Sequence, residues 1–442
     1  MRDLDRLIQL LQTKGVMPSA DIQAELNINQ PKVSRLIKQA GSEIIHIGKA
    51  RTSRYALASP TFGHEDNIPM YSLDKTGQAQ HICNLHALAN GQYYIETEEN
   101  TPWLKGEAGN GIFSGLPYFI DDLRPQGFLG RKIAIYYAQR YGFPEMLDYW
   151  NENQLGTYFL QDGYNLPGNL ILGEQALKAA QHNTIDIVSD RETTYPDKAS
   201  SILMQWQAGS STAGEQQKFI ACTADRGHVI VKFSPAGNSA EARRWQDLLV
   251  CEYHALNTMK QAGKIAADTT IYKFDDRIFL ESKRFDRIGQ TGRIPMISLA
   301  AIDNEFTGHG GSWTQITQHL YKKKLITEYD YRSCIWNDMY GQWIGNSDRH
   351  PGNISMTTTD SGFELLPAYD MLPMIYAPER GEIINRNLNT PIKPMKQYLD
   401  LWKESAETAC LFWHNVGEDK MISDDFRQIA ENNHRLVKQK MQ

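Results

Sequence analysis

The amino-terminal stretch places apolar residues at helical spacing and interrupts them with short turn signals. In residues 3 to 14, leucine and isoleucine recur every three or four positions, and Gly15 follows as a stop. A second helix is predicted over 19 to 26, and a third begins within NINQPKVSRLIKQAG, where Pro31 falls in the first turn. The following EIIHIGKARTSRYAL predicts two short strands. Helices followed by a hairpin in this order are typical of a winged helix-turn-helix module over 1 to 58.

Basic residues are concentrated on the two elements of this module that would meet DNA. Cations there would contact phosphates, and polar side chains early in the third helix can reach base edges. The candidate DNA-binding residues are Gln30, Lys32, Ser34, Arg35 and Lys38 on the helix and Lys49, Arg51 and Arg54 on the hairpin. Within the helix and hairpin, only Glu43 opposes them. The structural alternative is a packing or dimerisation module with a solvated basic face, and a homodimer on DNA stays open.

The middle of the chain has a mixed pattern without repeats. Residues 58 to 68, ASPTFGHEDNI, predict a linker, because proline, glycine and charged residues break the periodicity. GQYYIETEE then predicts a strand, and a helix is predicted from about residue 130. These elements indicate a mixed α/β domain without pointing to a role.

A strand and a helix in the second half predict an ion pair. HVIVKFSP, 228 to 235, alternates as a strand does and carries Lys232. The next helix, 241 to 263, includes Glu252 in its apolar stripe, and a buried carboxylate is costly unless it is paired. Lys232 is the candidate partner, although a lone strand lysine usually points to water. Protein kinases hold the lysine that contacts ATP phosphates in this way.

A buried helix leads into GNSDRHPGNISM, where hydrogen-bonding side chains are crowded. Apolar residues of YRSCIWNDMYGQWIGN share one helix face, and Gly345 ends the pattern. Asp348 precedes Asn353 by five residues, which is the Asp-to-Asn spacing of the kinase catalytic loop. FELLPAYDMLPM then predicts an apolar strand ending at Asp370. A carboxylate there can bind Mg²⁺ alongside Asn353.

A loop of small residues, GSSTAGEQQKF at 209 to 219, precedes these elements. It permits a tight turn ahead of Lys218 whose backbone N–H groups could face an anion, but it lacks the Walker Gly-Lys-Ser/Thr ending. Each part has a structural alternative: an ordinary loop, Asx turn caps at Asp348 and Asn353, a structural hydrogen bond at His350. Their order, from loop through lysine and glutamate to the Asp/Asn loop and the final aspartate, favours phosphoryl transfer.

These segments resemble the HipA family of bacterial serine/threonine kinases, which are toxins of toxin-antitoxin pairs. SSTAGEQQK resembles that family's Ser-x-x-Gly-x-Gln-x-Lys phosphate loop, and GNSDRHPGN its Asn-x-Asp-x-His-x-x-Asn catalytic loop. PAYDMLP resembles its metal-binding strand end. KRFDR, 283 to 287, is similar to the family's ERFDR segment near the adenine, with Lys283 departing from it. The likeness covers roughly 85 to 440.

The resemblance implies a bilobal protein-kinase-like HipA fold of the α/β (α+β) class, with ATP and Mg²⁺ as cofactors. Asp348 would be the catalytic base, His350 would order its loop, and Asn353 and Asp370 would be the metal ligands. The implied ATP-binding residues are Ser211, Thr212, Ala213, Gly214, Lys218, Lys232, Glu252, Lys283 and Phe285. Ser211 aligns with the family's autophosphorylated serine, and a phosphate there would repel nucleotide. Ser210 and Thr212 adjoin it, so the reacting hydroxyl stays open.

Length and composition fit this organisation. The 442 residues are 41% hydrophobic and 10% aromatic, as in globular proteins of two or three domains. The predicted divisions are 1–58, a HipA-like subdomain with linker at 59–190, a kinase N-lobe-like region at 191–290 and a helical C-lobe at 291–442. Five cysteines without a CxxC pair indicate reduced thiols. Without a signal or spanning segment, we expect a cytoplasmic chain that binds no membrane and associates with the nucleoid when DNA-bound.

The leading functional hypothesis is a serine/threonine protein kinase tethered to DNA by its own module. HipA proteins usually rely on a separate DNA-binding antitoxin, so the module departs from the family, and whether an antitoxin exists stays open. One alternative is a DNA-binding transcriptional regulator whose kinase fold only senses nucleotide. Another is a small-molecule kinase, because DRHPGN also resembles aminoglycoside phosphotransferase loops. No motif identifies the protein substrate.

Overall fold

The computed structural model describes residues 2–49, 52–64, 67–182, 186–206, 216–391 and 396–441. The helices are α1 (Asp3–Lys14), α2 (Ser19–Leu26), α3 (Gln30–Ala40), α4 (Pro102–Lys105), α5 (Tyr118–Asp121), α6 (Gly127–Tyr141), α7 (Glu152–Asp162), α8 (Gly173–His182), α9 (Arg191–Trp206), α10 (Ala240–Gln261), α11 (Leu299–Phe306), α12 (Trp313–Lys322), α13 (Glu328–Trp343), α14 (Leu399–Glu418) and α15 (Asp424–Met441). The strands are β1 (Met17–Pro18), β2 (Ile44–Ile47), β3 (Arg54–Ser59), β4 (Ile68–Leu73), β5 (Ala79–Leu88), β6 (Gln92–Glu96), β7 (Ile112–Phe113), β8 (Leu170–Leu172), β9 (Ile187–Val188), β10 (Lys218–Thr223), β11 (Gly227–Phe233), β12 (Thr269–Phe274), β13 (Arg277–Lys283), β14 (Arg287–Ile288), β15 (Gly292–Arg293), β16 (Ile297–Ser298), β17 (Ser355–Thr359) and β18 (Gly362–Leu365).

The chain is a mixed α/β protein, as predicted, and it divides into two compact units. The first unit comprises Met1–Arg124, Asp148–Asn183 and Thr359–Gly362. The second unit comprises Pro125–Leu147, Thr184–Thr358 and Phe363–Gln442. The candidate DNA-binding segment belongs to the first unit, and the kinase-like segments belong to the second.

The first unit begins with the predicted helices. The helix ends fall where the sequence indicated: Gly15 caps α1 with φ 74°, and Asn29 caps α3 by accepting a hydrogen bond from the Lys32 backbone N–H at 3.1 Å. Apolar residues of all three helices share one core: Leu7, Leu11, Ile22, Leu26, Val33 and Leu36. The predicted hairpin follows as β2 and β3.

Strand β3 joins this hairpin to the sheet of the middle region. Its first residues pair with β2, and its last two, Ala58 and Ser59, pair with β5. The sheet continues in the order β1-β3-β5-β4-β8, with β6 and β7 beyond β5. The prediction of a linker at 58 to 68 is therefore wrong. Thr61 Oγ1 accepts a hydrogen bond from the Ala87 backbone at 2.9 Å, and the neighbouring Phe62 is buried.

The second unit contains a sheet with strands in the order β12-β13-β11-β10-β9. Alternate residues of β11 point to opposite faces, so Val229, Val231 and Phe233 pack in a core that includes α9, while Lys232 points toward α10. Both faces of the central strand are thus covered. The expectation that a lone strand lysine is solvated does not hold here.

Helices α11 to α15 and most of β17 and β18 also belong to the second unit. Helix α13 is buried on several sides and ends at Trp343, followed by Gly345 with φ 76°. Asp370 does not end an apolar strand as predicted, because β18 stops at Leu365 and Pro367 has no N–H to continue pairing. Asp370 lies in the loop beyond, with φ 51°.

The cysteines and the helices bear on two expectations from the sequence, reduced thiols and the absence of a membrane-spanning segment. The cysteines are free thiols, and Cys83, Cys222, Cys251 and Cys334 are buried. Across the part of the chain that the structure describes, the helices lack the combined length and apolarity that crossing a bilayer requires.

Candidate active site

Lys232 and Glu252 form the ion pair that the buried helix face predicted. The Lys232 ammonium donates to Glu252 Oε1 at 2.6 Å and to Oε2 at 2.7 Å. The two side chains are only 6% and 2% exposed. Burial raises the pKa of Glu252, and the charge of Lys232 opposes that rise. The strand β11 and the helix α10 thereby fix one buried cation at a defined place.

Asp370 is a second acceptor for the same lysine. Its Oδ1 lies 2.5 Å from Lys232 Nζ, and its side chain remains 30% exposed. Burial alone would raise the pKa of Asp370, but the charges of Lys232 and Lys218 hold it below its ordinary value. Burial alone would likewise lower the pKa of Lys232, but Asp370 and Glu252 hold it above its ordinary value. The ion pairs therefore favour the charged forms of Lys232 and Asp370.

The Asp348 to Asn353 loop presents a half-exposed carboxylate. The Asn353 side-chain amide donates to the backbone carbonyl of Asp348 at 2.8 Å and to its Oδ2 at 3.2 Å. The backbone N–H of Asp348 donates to Asn346 Oδ1 at 2.9 Å. With 52% of its side chain exposed, Asp348 can reach an incoming group while its backbone is held on both sides.

His350 lies within the same loop and makes contacts through both its ring and its backbone. Its Nδ1 accepts the Gly352 backbone N–H at 3.1 Å, and its carbonyl accepts the Trp313 indole N–H at 3.0 Å. Its Nε2 is 3.8 Å from Asp348 Oδ1. These contacts stabilise the turn through Pro351 and Gly352.

The side chains of Lys232, Glu252, Asp348, Asn353 and Asp370 line one cavity of about 240 Å³ in the second unit, whereas His350 is not part of its described wall. Its walls are formed by Gly127, Phe128, Gln216, Lys218, Lys232, Trp245, Glu252, Asp348, Asn353, Asp370, Leu372 and Met374. Polar groups converge on one part of the wall and apolar side chains complete it, as in small-molecule sites. The cavity thus brings together candidate residues from four segments. They are Lys218 at the start of β10, the pair of Lys232 and Glu252, the loop of Asp348 and Asn353, and Asp370.

The donor atoms fit Mg²⁺ together with a phosphorylated ligand. Asp370 and Asn353 supply carboxylate and amide oxygens, which magnesium prefers, and it typically takes one or two carboxylates plus phosphate oxygens and water. Among the residues described, no group of three or more His, Cys, Asp or Glu side chains could hold a metal by itself. A metal at this cavity would therefore depend on ligand oxygens.

The remaining ATP-binding candidates are placed less directly. Lys283 is exposed at the end of β13, and the Phe285 ring lies 5.7 Å from the Tyr369 ring. Neither belongs to the described cavity wall, and their assignment stays a prediction. The candidates Ser211, Thr212, Ala213 and Gly214, with the neighbouring Ser210, lie outside the described residues.

Sequence reasoning missed several cavity residues. Phe128 lies on α6, far upstream in the sequence, and Trp245 lies in the apolar stripe of α10. Aromatic residues in such positions predict ordinary core packing rather than a binding site. Asn346, which holds the Asp348 backbone, stands two residues before Asp348 in the quoted loop motif and offered a usable signal.

The candidate DNA-binding residues of α3 differ in how they are engaged. The exposed ones are Gln30, Ser34, Arg35 and Lys38. Lys32 forms an ion pair with Asp3 of α1, and Gln30 Oε1 accepts hydrogen bonds from Ser19 at 2.8 Å and Gln23 at 2.6 Å. Sequence pattern alone gave no sign that Asp3 opposes this basic helix.

On the hairpin, the two described candidates are both exposed. Lys49 Nζ lies 3.5 Å from Glu98 in a solvated pair, and Arg54 begins β3. Arg51 lies outside the described residues. The basic helix and the hairpin are thus present, with acidic neighbours at Asp3 and Glu98.

Comparisons with known proteins agree with this architecture. The family described as "HipA-like C-terminal domain" matches residues 210–439, and "YjjJ-like toxin, middle domain" matches residues 64–181. Toxin YjjJ of Escherichia coli (strain K12) is 32% identical over 438 residues, covering 96% of each chain. A chain from the Shewanella oneidensis MR-1 complex of HipA, HipB and operator DNA has a TM-score of 0.55 at 14% identity, covering 85% of this chain and 96% of that one. The last likeness shows the fold, and the sequence matches show that the chain belongs to the family of HipA-like toxins.

Proposed function

We propose that this chain is a protein kinase that transfers the γ-phosphoryl group of ATP to a serine or threonine hydroxyl. The observation that carries the proposal is the placement of Lys232, bound to both Glu252 and Asp370, on the wall of the cavity that Asp348 and Asn353 also line. A fixed cation, a half-exposed carboxylate and oxygen donors for a metal are the parts that phosphoryl transfer requires.

Lys232 would bind phosphate oxygens of ATP. Its charge is maintained by two carboxylates, and Glu252 keeps the ammonium at the cavity while phosphate oxygens take the place of Asp370. Asp370 and Asn353 would then be the residues that hold Mg²⁺. When bound, this ion would neutralise charge on the phosphate groups.

Asp348 would accept the proton of the substrate hydroxyl. Its carboxylate is exposed enough to meet a protein side chain. Asn353 donates to Oδ2 and to the backbone carbonyl, so the substrate hydroxyl is assigned to Oδ1, which lies 3.8 Å from His350 Nε2. General base assistance by a positioned carboxylate contributes about 10²- to 10⁴-fold in rate. The proposal therefore assigns Asp348 the largest single loss on substitution.

The proposal includes DNA binding by residues 1–58 as a winged helix-turn-helix. The exposed Ser34, Arg35 and Lys38 lie on one helix, and Arg54 on the adjoining hairpin supports a second contact. The Shewanella relative occurs with HipB and operator DNA, and the E. coli relative is described as a toxin. By analogy, a toxin-like growth regulator that reaches DNA itself is the favoured cellular role.

The test is transfer of labelled γ-phosphate by the full chain to itself and to proteins of a bacterial lysate. Wild type should label proteins, and Asp348→Asn should lower the rate by at least about 10²-fold while retaining nucleotide binding. Nucleotide binding without any transfer would favour the sensor hypothesis. Transfer confined to small molecules would favour a small-molecule kinase.

Mapping of labelled residues in the same experiment tests self-modification. A phosphate on Ser210, Ser211 or Thr212 would support the autophosphorylation inferred for the loop. Negative charge added a few residues before Gln216 and Lys218, which line the cavity, would be expected to repel ATP. Label elsewhere only would remove that part of the proposal and leave the kinase assignment standing.

A further inference from the structure

Gly341, in the last turn of α13, lies where two side chains from separate loops converge. A Cβ at this buried position would lie 2.5 Å from Cδ of Arg349 and 3.4 Å from Sδ of Met371. Carbon atoms in favourable contact are about 3.5–4.0 Å apart, so Arg349 could not keep its place beside alanine. Arg349 directly follows Asp348, and Met371 directly follows Asp370. A methyl group added at this one glycine would therefore meet the chain neighbours of both aspartates.

Arg349 is held in this notch by α13 itself. Its Nε donates to Asp338 Oδ1 at 3.0 Å, and its guanidinium also donates to the carbonyl of Asn346. The Asp338 side chain is 8% exposed, and its other oxygen accepts the Thr314 hydroxyl at 2.9 Å. The Asp338 carboxylate is buried and is itself fixed by a hydrogen bond, so its ion pair with Arg349 favours one position of the guanidinium.

Asn346 links the same two loops a second time. Its Oδ1 accepts the backbone N–H of Asp348 at 2.9 Å, and its Nδ2 donates to the backbone carbonyl of Asp370 at 3.4 Å. The same amide lies 3.5 Å from Met371 Sδ. Because Asn346 is 1% exposed, water does not compete for these bonds.

We propose that Gly341, Asp338 and Asn346 are positioning residues that hold Asp348 and Asp370 in register. Gly341 and Asp338 act through the chain neighbours of the two aspartates, and Asn346 acts through the backbones of the aspartates themselves. The inference rests on the proposed kinase function for its effect on rate, while the coupling between the two loops is a property of the fold. A side chain at Gly341 would displace Arg349 and press against Met371 at the same time. Because these residues directly follow Asp348 and Asp370, both aspartates would move. Misplacement of about 1 Å can cost about 10²-fold in rate.

The experiment compares Gly341→Ala with Gly417→Ala, a matched glycine in α14. A Cβ at Gly417 would have its nearest neighbour at 3.9 Å, so this control should behave as wild type. We expect Gly341→Ala to lower kcat for phosphotransfer by about 10- to 100-fold, with a smaller change in the KM for ATP. A kcat within twofold of wild type would overturn the proposal.

A double-variant test separates positioning from a general loss of packing. In an Arg349→Ala background the crowding atom is gone, so Gly341→Ala should lower kcat by less than about threefold further. A full additional loss would show that the glycine does not act through Arg349 and would overturn the proposal. If Gly341→Ala does not fold, Asp338→Asn releases Arg349 without adding volume and should give the same fall in kcat. Normal kcat in that variant would count against the proposal equally.

Hydrogen exchange supplies a readout that does not need activity. Gly341→Ala should accelerate amide exchange in both 345–356 and 366–376, whereas Gly417→Ala should change neither. Coupled exchange in a chain that transfers no phosphate would refute the proposed function and support the coupling. Acceleration of only one segment, with kinase activity present, would refute the coupling and support the function.

Discussion

The Lys232 ammonium lies 2.5 Å from Oδ1 of Asp370, a residue 138 positions further along the chain. The same ammonium binds both oxygens of Glu252. One buried cation thus serves two carboxylates. This arrangement holds Asp370 at the cavity through an ion pair, which phosphate oxygens and a cation would replace in the proposed function.

The first prediction concerns Glu252→Gln. The amide keeps the shape and one acceptor but removes a charge, so Lys232 is drawn toward Asp370. We expect kcat for phosphotransfer to fall by about tenfold or more, and the free energy of unfolding to fall by about 1–3 kcal/mol. Phosphotransfer assays and urea unfolding measure the two effects. Glu241→Gln, in the first turn of the same helix, is the control, and unchanged activity in Glu252→Gln would remove its role in placing Lys232.

The second prediction concerns the pH dependence of stability at Asp247. Burial raises the pKa of this carboxyl from 3.8 to about 6, although hydrogen bonds from Ser423 and the charge of Arg244 oppose the rise. Between these values the folded chain binds the proton of Asp247 more tightly than the unfolded chain. The contribution of this residue to stability therefore falls as pH rises from about 4 to 6 and is constant above. At 1.36 kcal/mol per unit, this residue accounts for a loss of about 3 kcal/mol.

Urea unfolding at stepped pH tests this sign. The difference in unfolding free energy between wild type and Asp247→Asn should shift against wild type as pH rises through that window. Asp360→Asn, at an exposed position between β17 and β18, should retain the wild-type profile. A difference that is flat with pH, or of opposite slope, would contradict the assignment of a raised pKa.

Particular residues show how far the sequence predicts this site. Glu252 lies in the apolar stripe of a helix, and a buried carboxylate there predicts a cationic partner. Lys232, on the strand that precedes the helix, was the candidate that the sequence offered. The sequence near Asp370 does not indicate that this residue is a second partner of Lys232. The two residues are 138 positions apart, so their contact depends on how the second unit folds. Gly341 gave none either, since a lone glycine in a helical pattern becomes informative only when Arg349 is seen beside it.

The linker at 58 to 68 shows the opposite error. Its composition is that of a loop, yet Phe62 packs so closely over α7 that a Cβ at Gly156 would lie 2.1 Å from its ring. The contacts come from strands and helices distant in sequence, and composition reports only local preference. The helices of the amino-terminal module were predictable because their stops and caps are local.

The third prediction concerns the ion pair between Lys32 and Asp3. Asp3→Asn releases Lys32 from its partner, so the full chain should bind a mixed-sequence DNA duplex more tightly, with a steeper dependence of affinity on salt by about 1 in log–log slope. Fluorescence anisotropy across a salt series measures both. Asp5→Asn removes the same charge from α1 without freeing Lys32 and should have a smaller effect. Equal effects of the two variants would show that Lys32 does not contact phosphate.

The fourth prediction concerns Leu88, where the hairpin and the middle sheet share a core. Leu88 packs with Ile47, Ala56 and Tyr94, and its neighbour in the ladder is Ala58 of β3. Leu88→Ala should lower the free energy of unfolding by about 2–5 kcal/mol. Strand β3 pairs both with β2 of the hairpin and with β5 of the middle sheet. On heating, the loss of DNA binding and the onset of amide exchange in β5 should therefore occur in the same transition. DNA binding that persists after β5 has opened would show that the amino-terminal module is stable independently of the sheet.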